Sequence, residues 1–117
     1  MVSERTEYVP DQGDMVWLNF NPASGHEQKG RRPAVVITPL SYNSASGLCF
    51  VLPVTSKEKG YPFEVPLQGG NETHGVILTD QGRTVDWKVR QAVKIESLPE
   101  DIMAKVKVLL KTLMVLD

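Results

Sequence analysis

Apolar residues in this chain fall in short bursts separated by polar stretches that carry prolines and glycines, which is the spacing of an all-β core. Six segments, 14–20, 34–38, 48–53, 63–67, 75–79 and 89–95, are short and rich in Val, Ile, Leu or aromatic side chains, and each reads as a strand. Near the end the rhythm changes. Leu98, Ile102, Val106, Leu109 and Leu113 recur at three- and four-residue intervals, and Met103, Leu110 and Met114 widen the stripe, which predicts one amphipathic helix. Ser97 followed by Glu100 is a capping-box pattern and Pro99 suits a first turn, so the helix is expected to begin at about Leu98 and run nearly to the end. Six or so strands and one terminal helix imply a mainly β fold: a small, strongly bent β-barrel of the SH3-like kind, with a C-terminal α-helix closing one side. Such a barrel has little interior volume. Function is expected on its loops, its outer surface or a dimer interface.

The length of 117 residues is that of one domain spanning 1–117, and 41% apolar with 23% charged residues is the composition of an ordinary globular chain. The single cysteine, Cys49, rules out an intrachain disulfide and a Cys-rich zinc site, as expected in a reducing compartment. The longest apolar run, 48–54, is far shorter than the roughly 18 residues of a membrane span, and the acidic start has no apolar stretch of a secretory signal. A cytoplasmic protein without membrane contact is therefore expected.

Charge alters the picture more than composition does. Thirteen Lys and Arg against fourteen Asp and Glu leave a net charge of −1, so any polyanion site must be local. Residues 29–59 are basic, with Lys29, Arg31, Arg32, Lys57 and Lys59 against Glu58 alone; so are residues 83–94, with Arg83, Lys88, Arg90 and Lys94 against Asp86. Brought together, they would form a groove that tracks a phosphate backbone; kept apart, they are two solvated faces.

Three loops carry candidate chemistry. Residues 21–33, NPASGHEQKGRRP, end on Arg31 and Arg32, and Pro33 enforces an extended entry to the next strand. An arginine held this way can offer its planar fork to phosphate oxygens, or pair with a surface carboxylate. Residues 53–62 place Thr55 and Ser56 before Lys57 and Lys59; the hydroxyls either donate to a phosphate or cap local backbone. Residues 79–83 group Asp80, Gln81 and Arg83, which suit base edges or an ordinary turn. Of the two histidines, His26 adjoins Glu27 in the first loop, and His74 reads as part of a surface turn. No metal-ligand spacing, Gly-rich phosphate loop or nucleophile elbow occurs, so neither metal nor cofactor is expected.

The segments GHEQKGRRPAVVI, PVTSKEKGYPFEV and VILTDQGRTVDW, in that order, resemble the motifs of the MazF/PemK family, the toxins of type II toxin–antitoxin systems. The likeness takes in residues 8–20, with Asp14, Trp17 and Phe20, and extends to the C-terminal helix. It implies a homodimeric SH3-like barrel that cleaves single-stranded RNA at a short sequence without metal, leaving a 2′,3′-cyclic phosphate and a 5′-hydroxyl. By motif position, Arg32 and Thr55 match the family's catalytic arginine and threonine, and Glu27 is the acidic residue of the same loop as Arg32. Ser56, Asp80, Gln81 and Arg83 match positions lining the RNA groove; Arg31, Lys57 and Lys59 are added to the RNA contacts from the basic segments. Neither His26 nor His74 matches an invariant position. The resemblance also implies a cognate MazE-type antitoxin whose acidic tail occupies the groove.

Cleavage by the RNA's own 2′-hydroxyl needs in-line geometry and stabilisation of charge on the phosphoryl oxygens, more than a protein nucleophile. Arg32 is expected to clamp the phosphate and to protonate the leaving 5′-oxygen, and Thr55 to donate to the same phosphate. Glu27 either accepts the 2′-hydroxyl proton or orients Arg32. Two other readings compete. One is a non-enzymatic toxin on the same fold, like the gyrase poison CcdB, whose C-terminal Trp contact has no counterpart in the Leu-Met-Val-Leu-Asp ending here. The other is a plain RNA-binding barrel, for which more exposed aromatics would be expected.

Overall fold

The computed structural model describes residues 8–20, 30–67 and 74–115. In chain order the elements are β1 (Asp14–Asn19), β2 (Arg31–Val36), α1 (Leu40–Ser46), β3 (Leu48–Thr55), β4 (Glu64–Pro66), β5 (Val76–Leu78), β6 (Arg83–Asp86), β7 (Val93–Ser97) and α2 (Glu100–Leu113). The strands form one antiparallel sheet ordered β4-β5-β3-β2-β1-β7, and β6 adds to β3 off that path. The mainly β class with a C-terminal helix is the one expected.

β3 is the pivot. Its first half pairs with β6 (Leu48↔Asp86 to Val51↔Arg83), its middle with β2 (Val36↔Val51 to Ala34↔Pro53), and its end with β5 (Val54↔Ile77, Thr55↔Val76). A strand that changes partners along its length bends the sheet, and alternating side chains then serve two apolar clusters. Met15, Val35, Leu52, Val54, Val65 and Ile77 face one, which α2 covers with Ile102, Met103 and Val106. Val16, Leu18, Ala34, Val36, Cys49 and Val51 face the other, closed by Val85 and Trp87. Complete burial of a side chain such as Ile102 is worth roughly 1.5–3 kcal/mol, so α2 is held by its stripe rather than by propensity. No helix among the described residues is long and apolar enough to cross a membrane.

Three local expectations are corrected. The helix starts at Glu100 with Pro99 at the N-cap and no side-chain cap bond; Ser97 is the last residue of β7 and cannot cap it. Glu100 and Asp101 in the first turn supply the negative charge that favours the start instead. The segment 89–95 divides, with residues 87–91 in turns, Gln91 at a positive φ of 55°, and a strand only from Val93. Arg83, read as the end of the loop 79–83, instead opens β6 together with residues 84–86, for which no strand was expected. α1 was not expected. It is seated by Asn43, whose side-chain amide donates to the carbonyls of Pro10 (2.7 Å) and Thr38 (2.9 Å) and whose Oδ1 accepts from the Thr38 hydroxyl (2.6 Å).

The start of β1 is tied down by Asp14. Its carboxylate accepts from the Tyr8 hydroxyl (2.6 Å) and the Asp11 amide (3.1 Å), and pairs with Lys94 of β7 (3.4 Å). Burial and the Asp14 carboxylate together push the Tyr8 hydroxyl well above the usual phenol range.

Candidate functional site

Two neighbouring cavities open where β3 leaves β2 for β5, and they share Thr55 and Lys57. The first, about 460 Å³, is lined by Trp17 from β1, Arg31, Arg32 and Pro33 from β2, Val54 and Thr55 from β3, then Ser56, Lys57 and His74. The second, about 660 Å³, is bounded by Lys59, Gly60, Tyr61, Pro62, Glu64, Leu78, Asp80 and Gln81 besides the shared pair.

Register brings Arg32 towards Thr55. The β2–β3 ladder ends at Ala34↔Pro53, just before Arg32 on one strand and Thr55 on the other, and both residues line the first cavity. Arg32 is exposed and Thr55 half-buried. The Thr55 hydroxyl accepts from the Lys57 amide (3.2 Å), which leaves its own proton free to donate. Capping and phosphate contact are thus compatible in one group. Arg31 carries its guanidinium 5.4 Å from the centroid of the Trp17 ring, a cation–π contact.

The loop after β3 owes its shape to Glu64. That carboxylate accepts from the backbone amides of Lys59 (3.1 Å), Gly60 (3.0 Å) and Tyr61 (3.2 Å), fixing the path on which Lys57 and Lys59 are displayed. Tyr61 donates its hydroxyl to Asp80 (2.7 Å), and the bond to that carboxylate raises the Tyr61 pKa. One wall of the second cavity is thereby joined to the other.

Of the residues singled out from sequence, Arg31, Arg32, Thr55, Ser56 and Lys57 meet in the first cavity, and Lys59, Asp80 and Gln81 in the second. Arg83 lines neither. It stands on β6 opposite Val51 with its guanidinium 5.4 Å from the Phe20 ring, which Arg90 also approaches at 5.9 Å. Among the described residues, none of Arg83, Lys88, Arg90 and Lys94 lines either of these two cavities. Glu27 and His26 lie outside the described residues. Sequence reasoning missed Tyr61 and Glu64 as shaping residues, left Trp17 without a role and set His74 aside. An aromatic and an acid flanking the loop, in GYPFE, were the available signal for the first two.

A bent β sheet whose pivot strand ends in paired cavities rich in Arg and Lys is a surface matched to an extended polyanion. The family model described as the PemK-like, MazF-like toxin of type II toxin-antitoxin systems matches residues 11–114, and this chain belongs to that family. It is 47% identical over 109 residues to the endoribonuclease toxin MazF of Escherichia coli strain K12, covering 90% of this chain and 97% of the relative. A crystal structure of MazF from Deinococcus radiodurans superposes with a TM-score of 0.83 at 49% identity, covering 92% of this chain and 98% of that one. A MazE–MazF complex from the same organism gives a TM-score of 0.83 at 44% identity, with 92% and 97% covered.

Proposed function

We infer that this chain is an endoribonuclease toxin that cleaves single-stranded RNA at a short sequence, inhibits translation and growth, and is neutralised by a MazE-type antitoxin. Membership of the toxin family and near full-length similarity to an endoribonuclease support the activity. The single observation that carries the site is the meeting of Arg32 and Thr55 in one cavity with Arg31 and Lys57. The gyrase-poison reading gains nothing from these relatives.

In the mechanism we propose, the 2′-hydroxyl of the RNA attacks the adjacent phosphorus in line with the departing 5′-oxygen. A 2′,3′-cyclic phosphate and a 5′-hydroxyl result, and no metal is used. Arg32 neutralises charge gathering on the phosphoryl oxygens, and Thr55 donates a hydrogen bond to the same phosphate. Glu27 of the preceding loop supports this pair. Arg31, Ser56, Lys57 and Lys59 hold the flanking backbone, while Asp80 and Gln81 present acceptor and amide groups to base edges; Arg83 contacts the strand further out, beside Phe20.

The toxin acts in the cytoplasm, where messenger RNA is, and pairs with a second copy. The apolar side chains exposed on and after α2, Val108, Leu113 and Met114, favour such pairing. An RNA carrying a single 2′-deoxy nucleotide at a mapped cut site tests the mechanism. It should bind as the all-ribose RNA does and remain intact; cleavage at the deoxy position would overturn the internal-nucleophile reading.

A further inference from the structure

The cavity that holds Arg32 and Thr55 is well supplied with hydrogen-bond donors, yet transesterification also needs a group that takes a proton. Arg31, Arg32 and Lys57 carry only donors, the Trp17 indole donates, and Thr55 and Ser56 offer weakly basic hydroxyls. Among the described residues lining it, His74 alone carries an imidazole, whose ring nitrogen can accept a proton.

The backbone that follows it runs straight into the sheet. Val76, two residues on, is paired with Thr55 in the β3–β5 ladder. Gly75 between them has a φ of +119°, and a Cβ there would lie 2.1 Å from the Thr55 carbonyl oxygen, so the backbone entering β5 runs directly against Thr55. The Gly75 carbonyl is held from the other side by the Leu67 amide at 2.9 Å. A residue that looked like a surface turn is therefore delivered to the mouth of the cavity by a backbone with little freedom.

We propose that His74 is the proton acceptor of the cleavage reaction, an inference that rests on the ribonuclease reading above. The imidazole takes the proton of the 2′-hydroxyl as the 2′-oxygen–phosphorus bond forms and the bond from phosphorus to the 5′-oxygen breaks. The departing 5′-oxygen takes a proton from water, in place of the donation expected of Arg32, which keeps the phosphate clamp alone, and the imidazolium returns its own proton to solvent. The charged groups sharing the cavity with His74 are Arg31 and Arg32 from β2 and Lys57 after β3.

The test compares wild type, His74→Ala and His74→Gln as full-length proteins under single-turnover conditions from about pH 5 to about pH 9 in EDTA. His74 is exposed, so neither change opens the core. Both variants should cut about 10²-fold or more slowly at neutral pH and lose the wild-type rise of rate from the acidic side. They should bind a 2′-deoxy RNA as wild type does, and added imidazole should restore part of the His74→Ala rate. An unchanged rate, a loss confined to binding, or a slower rate with the wild-type pH profile intact overturns the proposal. If wild type itself cuts no RNA, the ribonuclease reading has failed instead, which the wild-type lane reports separately.

Discussion

Thr55 shows how much a single residue does here. Its backbone pairs with Val76 of β5, its hydroxyl anchors the Lys57 turn, and the proton left on that hydroxyl points the residue to phosphate chemistry. Replacing it with Val keeps the β-branched shape suited to a strand and removes the donor. Thr55→Val should therefore slow cleavage by about 10²-fold or more while leaving the thermal midpoint close to wild type, measured by gel assay and melting curve. Thr55→Ser should keep most of the rate. At the opposite pole is Cys49, buried between β2, β6 and Trp87, where burial pushes its thiol up from 9.0 to about 12. Tyr8 is raised as well. Both groups stay protonated when folded but ionise in the unfolded chain, so their stabilisation is complete below the unfolded pKa and is lost as pH climbs towards the folded one. Urea midpoints should fall as pH is raised through the window from 9.0 towards about 12. The fall should be shallower in Cys49→Ala, and equal slopes would contradict the assignment.

At the scale of elements, legibility depended on whether an element is stabilised by its own side chains or by distant ones. β1, β2 and β3 announce themselves through clusters of buried apolar residues (Met15, Val16 and Leu18; Ala34, Val35 and Val36; Cys49, Val51, Leu52 and Val54), and α2 because its stripe is long. α1 has seven residues and only Asn43 buried, and its seat is built from contacts to Pro10 and Thr38 that no periodicity can report. β6 likewise buries only Val85; its strand character comes from pairing with residues 48–51. The same reasoning covers the site. The residue types of Arg32 and Thr55 were legible as chemistry, but their adjacency depends on the β2–β3 register, and that of His74 on the β3–β5 register. Gly75 is the sharpest mechanical test of that second register. Gly75→Ala places a methyl against the Thr55 carbonyl at a φ of +119°, so it should cost more than about 2 kcal/mol in urea unfolding and lower cleavage together. A neutral Gly75→Ala would mean that β5 does not lie as close to Thr55 as the structure has it.

Over the whole molecule, a net charge of −1 conceals a strongly uneven distribution, with the cavities around Thr55 carrying Arg31, Arg32, Lys57 and Lys59 against Glu64 and Asp80. Glu64 is occupied with loop amides and Asp80 with Tyr61, which leaves the cations to meet the ligand. On the function proposed above, binding of single-stranded RNA, and of the acidic antitoxin segment that the family resemblance implies, should both weaken as salt rises, because both meet the same exposed cations. Titrations at increasing ionic strength should give parallel losses, and a salt-independent antitoxin affinity would argue for a mainly apolar contact elsewhere. The central claim, that this chain cuts RNA through the Arg32–Thr55 cavity, is tested most directly by incubating wild type and Arg32→Ala with a long, unstructured RNA in EDTA and analysing the fragment ends. Discrete cuts bearing 2′,3′-cyclic phosphates with wild type, and none with Arg32→Ala, are predicted; equal cutting by the variant, or no cutting by wild type, would contradict the account.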